Sequence, residues 1–317
     1  MDQPEHRNML EAIDARTRLA GSNHMEILLF SLGTRETFGI NVFKVREIMR
    51  APKVTRTPNV PPGVAGVVSL RGSIIPVISL AHFLGVSAAA VPCETMMVTE
   101  FNRHTQGFLV AGVDRILQVE WDKVRAPDAL LAGAGDMVTS ITEAPGGRIV
   151  SILDVEQIIA AVFGEPVIPD LAPVRDAGTV FFADDSMVAR KEIIQVLDKL
   201  GVPHQHANNG AEAWERLKAI AARAQADGES VRERVRLILT DAEMPEMDGY
   251  VLTRQIKGDA RFTGVPVVMH SSLSSQANRA MGRSVGVDGY VAKFDPAELA
   301  ETLRPYVGAA PLAAAAA

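Results

Sequence analysis

Leu239-Thr240-Asp241-Ala242-Glu243-Met244-Pro245-Glu246-Met247-Asp248-Gly249 decides the fold of the C-terminal half. A largely apolar stretch, 235–240, interrupted by Arg236, ends on a carboxylate, and proline and glycine break the chain before a helical pattern starts at Tyr250. Such a run, bounded by turn residues, reads as a buried strand. Outward in both directions the unit repeats. Strands are predicted at 180–183, 204–207, 235–240, 266–270 and 289–292. Helices are predicted at 186–200, 211–223, 250–257, 276–284 and 296–307. The last has a clear start in Asp295, Pro296 and Glu298. Five strand–helix units imply an α/β fold with a doubly wound, five-stranded parallel sheet. Residues 224–234 read as a polar surface loop inserted before the third strand.

In open sheets of this kind, ligands bind beyond the carboxyl ends of the strands. Asp184 and Asp185 follow the first strand there, Asp241 the third, Ser271 and Ser272 the fourth, and Lys293 the fifth. Three carboxylates in one cleft repel unless a cation compensates them. Oxygen ligands of this type suit a hard cation such as Mg²⁺. No glycine-rich phosphate loop accompanies them. A carboxylate nucleophile beside a metal, a lysine and a hydroxyl makes a phosphoryl acceptor. By strand alternation His270 should point away from Ser271, so no role is expected of it.

These motifs resemble those of a two-component response-regulator receiver domain over about 179–307. The resemblance implies Asp241 as the phosphorylated residue. It implies Mg²⁺ held by Asp185, Asp241 and the backbone carbonyl of Glu243, with Asp184 reaching it through water. Ser271 matches the switch hydroxyl, Lys293 the phosphate-pairing lysine, and Tyr290 the aromatic that reports the switch. The sequence departs from the family pattern in two places. Serine stands at 271 where threonine is commoner, and Phe294-Asp295 separates Lys293 from Pro296. Leu273 borders the expected path of attacking water, and its apolar side chain favours slow dephosphorylation.

The N-terminal half reads differently. Strands are predicted at 26–32, 37–40, 64–70, 74–79, 95–100, 106–110, 113–119 and 149–153, with helices at 42–49 and 155–163. Short strands closely spaced by turn residues favour a barrel or sandwich. Arg71 precedes Gly72 at a tight turn, an exposed corner where composition alone suggests a solvated arginine. Lys44-Val45-Arg46-Glu47-Ile48, then Gly66-Val67-x-x-Leu70-Arg71-Gly72-x-Ile74-Ile75-Pro76-Val77, resembles a CheW-type coupling domain over about 24–163. That resemblance implies an all-β double SH3-like barrel. It also implies binding to a CheA-type histidine kinase and to chemoreceptors, the methyl-accepting chemotaxis proteins. Val45, Glu47 and Arg71 match positions that matter for coupling in that family.

The expected organisation is a tail or short helix at 1–23, a coupling domain at 24–165, a linker at 166–178, a receiver at 179–308 and a frayed alanine-rich tail at 309–317. A coupling domain followed by a receiver is the architecture of CheV-type chemotaxis proteins. The expected function is a non-enzymatic adaptor between receptors and kinase, adjusted by phosphorylation of Asp241. The alternative is a phosphate sink that the barrel merely localises. The net charge of -6, with no basic run, disfavours nucleic acid and polybasic membrane docking. No apolar run approaches the ~18–20 residues of a membrane span, so no direct insertion is expected. With a single cysteine, Cys93, the expected home is the reducing cytoplasm, beside membrane receptor arrays.

Overall fold

The computed structural model describes residues 24–86, 93–101, 104–125, 137–165, 167–272, 276–293 and 295–308. The expected tails at 1–23 and 309–317, and Leu273, lie outside these. The chain divides into two compact units between residues 165 and 166.

The first unit contains β1 (His24–Ser31), β2 (Thr37–Asn41), β3 (Val45–Arg50), β4 (Val64–Leu70), β5 (Ser73–Ser79), α1 (Leu80–Phe83), β6 (Thr95–Phe101), β7 (His104–Val110), β8 (Gly112–Glu120), β9 (Val138–Ala144), β10 (Arg148–Leu153) and α2 (Val155–Phe163). They form two five-stranded sheets, ordered β8-β1-β2-β10-β9 and β3-β6-β7-β5-β4. Side-chain alternation gives the unit three cores. Ile27 and Leu29 of β1 pack with Val119, Trp121, Val150 and Ile152 on one face of the first sheet. Leu28 and Phe30 of the same strand pack with Ile48, Ile78, Met97 and Phe108 of the second. Val68, Ile75, Val77, Met96 and Val98 fill the other face of the second sheet. A sheet with both faces buried is what a pair of curled sheets sharing one wall requires.

Two expectations fail here. Residues 45–49 are strand β3, not helix; only Val42–Lys44 make a short 3₁₀ turn. The cause is a bulge. Val45 pairs with Thr99 and Glu47 with Val98, which leaves Arg46 as an extra residue. Val45 and Ile48 are therefore both buried at a spacing of three, which imitates a helical face. Strand β9 was not foreseen either. Its Ser140 and Thr142 are polar yet buried, so the apolar alternation is muted.

The second unit contains β11 (Val180–Ala183), α3 (Met187–Leu200), β12 (His204–Ala207), α4 (Gly210–Ala226), α5 (Val231–Arg234), β13 (Leu237–Thr240), α6 (Gly249–Gly258), β14 (Val267–Ser271), α7 (Gln276–Val285), β15 (Gly289–Ala292) and α8 (Pro296–Val307). The sheet order is β12-β11-β13-β14-β15, and every pairing is parallel. Phe181, Ile238 and Val267 face one helical layer, while Val180, Phe182, Leu237, Leu239, Val268 and Val291 face the other. The stretch 224–234 is no simple loop. Helix α4 runs on to Ala226, and a capping box between Ser230 and Glu233 starts α5, whose Val231 is buried.

The segment 167–178 is more than a linker. Ile168, Leu171, Val174 and Ala177 pack on the core between α3, α8 and the sheet. The backbone of Val174 donates to Leu200 and that of Gly178 to Val307. Lys199 donates to the carbonyls of Ile168 and Pro169, and Arg304 to that of Ala172. Prolines hide this docking in the sequence, because the segment satisfies its backbone through the receiver rather than through an element of its own.

Candidate functional site

Register places the acidic residues together. Ala183 of β11, Thr240 of β13 and Met269 of β14 stand abreast. One residue further along come Asp184, Asp241 and His270. Carboxylate oxygens of Asp184, Asp185 and Asp241 lie within 4.8 Å of one another. Lys293, just beyond β15 and 1% exposed, bridges two of them, with Nζ 2.9 Å from Asp184 Oδ2 and 2.8 Å from Asp241 Oδ2. Burial would raise the Asp184 carboxyl, but Lys293 and His270 outweigh it and hold the group at about 2.

Local chemistry fixes these side chains. Asp184 Oδ1 accepts from the Ser186 amide, and the Ser186 hydroxyl in turn caps α3 at Ala189. The Arg190 guanidinium donates to the Asp184 carbonyl. Asp241 Oδ1 accepts from the Ala242 amide at 2.6 Å. Behind it, Asp248 caps α6 through the Val251 amide. Gly249 follows because nothing larger fits: a Cβ there would lie 1.9 Å from the Asp241 carbonyl oxygen. Glu243, two residues beyond Asp241 on the same loop, is half-buried.

Ser271 and Tyr290, diagonal neighbours on the same face of β14 and β15, form the other wall. The Arg279 guanidinium stands 5.0 Å from the centre of the Tyr290 ring, a cation–π contact. Burial pushes the Tyr290 phenol up to about 12, against the opposing effect of Ser271.

The expectation for His270 needs correcting. Its ring does lie on the opposite side of β14 from Ser271, but that side holds Asp184. His270 Nδ1 is 3.9 Å from Asp184 Oδ2, and both side chains are fully buried. Strand register across the sheet would have revealed this, and register cannot be read from one strand alone.

In the first unit the three expected coupling residues separate. Arg71 and Gly72 form the two-residue turn between β4 and β5, with φ of 49° and 86°. A left-handed arginine is uncommon and marks a site worth explaining. Its exposed guanidinium donates to Glu47 Oε2 on β3 at 2.5 Å. Val45, by contrast, is 4% exposed and belongs to the core shared by the two sheets. A side chain spent on the core offers no apolar contact to a partner, so that expectation is withdrawn.

Comparison with known proteins agrees with this division. The family described as "CheW-like domain" matches residues 26–163, and that described as "Response regulator receiver domain" matches 180–304. The chemotaxis protein CheV3 of Helicobacter pylori is 31% identical over 274 residues, which cover 84% of this chain and 87% of that protein. CheV1 of the same organism is 28% identical, covering 94% and 98% respectively. The chemotaxis protein CheW of Klebsiella aerogenes is 31% identical over 148 residues, 46% of this chain and 88% of its own. Fold and site therefore define a two-domain signalling protein, a CheW-like module followed by a response-regulator receiver. Both modules come from families that regulate and scaffold. The match along most of its length is more particular: the chain belongs to the CheV family of chemotaxis proteins. It is a chemotaxis adaptor modulated by phosphorylation of its receiver.

Proposed function

We propose that Asp241 accepts the phosphoryl group and that the barrel unit couples a CheA-type histidine kinase to chemoreceptors. One observation carries the first half: a buried lysine bridges two of three clustered carboxylates at the carboxyl rim of a parallel sheet. The donor set is all oxygen, which fits Mg²⁺. Asp184, Asp185 and Asp241, with the backbone carbonyl of Glu243, would hold it. Bound there, the ion neutralises charge on the oxygens of the transferring group. Asp241 attacks phosphorus in line as the bond to the donor imidazole breaks. Lys293 releases Asp241 and pairs with the incoming phosphoryl oxygens. Ser271 turns toward them, and Tyr290 responds. His270 stays under Asp184 and keeps that carboxylate oriented.

The second half rests on the Arg71–Glu47 pair, which fixes a guanidinium at an exposed corner where it can meet a carboxylate of kinase or receptor. Such binding places the protein at receptor arrays in the cytoplasm. Among the described residues no helix is long and apolar enough to cross a membrane, so the barrel's partners supply the attachment.

The test is transfer from a phosphorylated CheA-type kinase, or from acetyl phosphate, to the full chain with Mg²⁺. Wild type labels at Asp241, and Asp241→Asn does not label. Labelling of Asp241→Asn at the wild-type level would refute the acceptor assignment. In a reconstituted receptor–kinase assay, acetyl phosphate changes coupling by wild type and not by Asp241→Asn. Identical responses, with faster phosphate loss from other receivers, would replace the adaptor by the sink.

A further inference from the structure

Gly210 opens α4 and is buried. A Cβ there would lie 2.2 Å from the Met247 carbonyl oxygen and 3.0 Å from both the carbonyl carbon and the Cβ of Met247. The φ of Gly210 lies outside the left-handed region, so an unusual backbone conformation is not what calls for glycine. The close approach of a second backbone is. That backbone belongs to the acceptor loop, residues 241–249, and its shape is fixed from within. The Gly249 amide donates to the Ala242 carbonyl at 3.0 Å and closes the loop. Inside it the Met247 amide donates to the Pro245 carbonyl at 2.7 Å, and Glu246 holds a φ of 65°. Glu243 and Met247 therefore lie on one closed turn of chain.

We infer that Gly210 is a positioning residue for the metal: its missing side chain seats the Met247 backbone against α4 and so sets the place of the Glu243 carbonyl on the same closed loop. This rests on the reading that the Glu243 carbonyl and the three carboxylates hold Mg²⁺. The two sides of the contact are not equally free to move. Helix α4 is pinned at its start, where Asn209 Oδ1 accepts from the Glu212 amide at 2.7 Å and Glu212 Oε2 from the Asn208 amide at 2.8 Å. Along its length Ala213, Leu217, Ala221 and Ala224 are buried in the core. The loop, by contrast, carries the exposed Glu246 beside Met247. A methyl group at 210 must open the 2.2 Å approach by about 1 Å to reach the ~3.3 Å of a carbon–oxygen contact, and the loop is the part that gives. Mg²⁺ demands near-ideal octahedral geometry, so a displaced carbonyl costs affinity. Asp184 and Lys293 lie on other elements and keep their mutual contact, so binding is weakened rather than abolished.

The experiment titrates Mg²⁺ alone into the full chain by calorimetry, well below the melting temperature, with circular dichroism confirming that each variant is folded. Gly210→Ala should bind Mg²⁺ about tenfold more weakly, the effect of removing a group that orients a metal ligand. A glycine that served packing only would lower the melting temperature and leave the affinity of the folded protein unchanged. Glu246→Gly supplies a second comparison. Glycine takes a left-handed φ without strain, so the loop yields to the methyl group more cheaply when both substitutions are combined. The double variant should regain stability over Gly210→Ala and still bind Mg²⁺ about tenfold more weakly than Glu246→Gly alone. Where Gly210→Ala does not fold, this second comparison decides. Unchanged affinity in either comparison overturns the inference and leaves the metal reading intact. Failure of wild type itself to bind Mg²⁺ overturns the metal reading, and the inference with it.

Discussion

Replacing Lys293 by methionine keeps most of the side-chain volume and removes the charge that bridges Asp184 and Asp241. A carboxyl held at about 2 rather than its ordinary 3.8 contributes roughly 2–3 kcal/mol at neutral pH, at about 1.4 kcal/mol per tenfold. Asp241 loses the same partner. Breaking a buried pair by removing one member typically costs about 3–5 kcal/mol, so the expected loss lies in that range. The pH dependence is the sharper signature. The folded value of Asp184 lies below its unfolded one, so its stabilisation is complete above about pH 3.8 and is lost as pH falls toward 2. Wild type therefore keeps this contribution at about pH 4.5. In Lys293→Met burial acts unopposed by the ammonium, and protonation of the carboxylates relieves their repulsion. The gap between variant and wild type should narrow as pH falls from about 7.5 to about 4.5. Urea unfolding in metal-free buffer measures it. Trp214, which packs against Phe262 in the receiver core, reports that unit alone when Trp121 is replaced by phenylalanine in both proteins. A loss below about 1 kcal/mol, or a gap that does not narrow with acid, would refute the assignment of Lys293 as the neutralising charge.

Two further substitutions test the surroundings. Arg71→Glu sets like charges opposite each other at an exposed turn. It should change stability by no more than about 0.5 kcal/mol while weakening kinase or receptor binding roughly tenfold. Undiminished pull-down of both partners would return Arg71 to an ordinary solvated turn. Gly249→Ala forces a methyl group against the Asp241 carbonyl and should destabilise the receiver by about 3 kcal/mol with a matching loss of phosphoryl labelling. An unchanged melting temperature together with unchanged labelling would show that the loop gives way cheaply.

The receiver was legible because its information is local. Each strand is a short apolar run, each acidic residue ends one, and the order of elements dictates which rim they share. Asp184, Asp185, Asp241, Ser271 and Lys293 could all be named from that rule alone. His270 could not. His270 depends on how β14 is staggered against β13, which is a property of packed neighbours. The coupling unit was less legible for a related reason. The bulge at Arg46 disguised β3 as a helix and made Val45 look available, although its side chain is enclosed. Buried Ser140 and Thr142 concealed β9. The docked segment 167–178 was mistaken for a bare linker because its apolar residues are too sparse to define an element.

The path of the chain through the coupling unit constrains the order in which that unit can be made. The first sheet takes β1 and β2 from one end of the unit and β8, β9 and β10 from the other, while all five strands of the second sheet lie between them. The inserted sheet can form from neighbouring hairpins. The enclosing sheet must close a gap of roughly seventy residues between β2 and β8, which slows its formation. As the chain emerges during synthesis, the inserted sheet can cover Leu28 and Phe30, but the Ile27 and Leu29 face waits uncovered until β8 and β10 arrive. In that interval a newly made chain is most exposed to mispairing and aggregation.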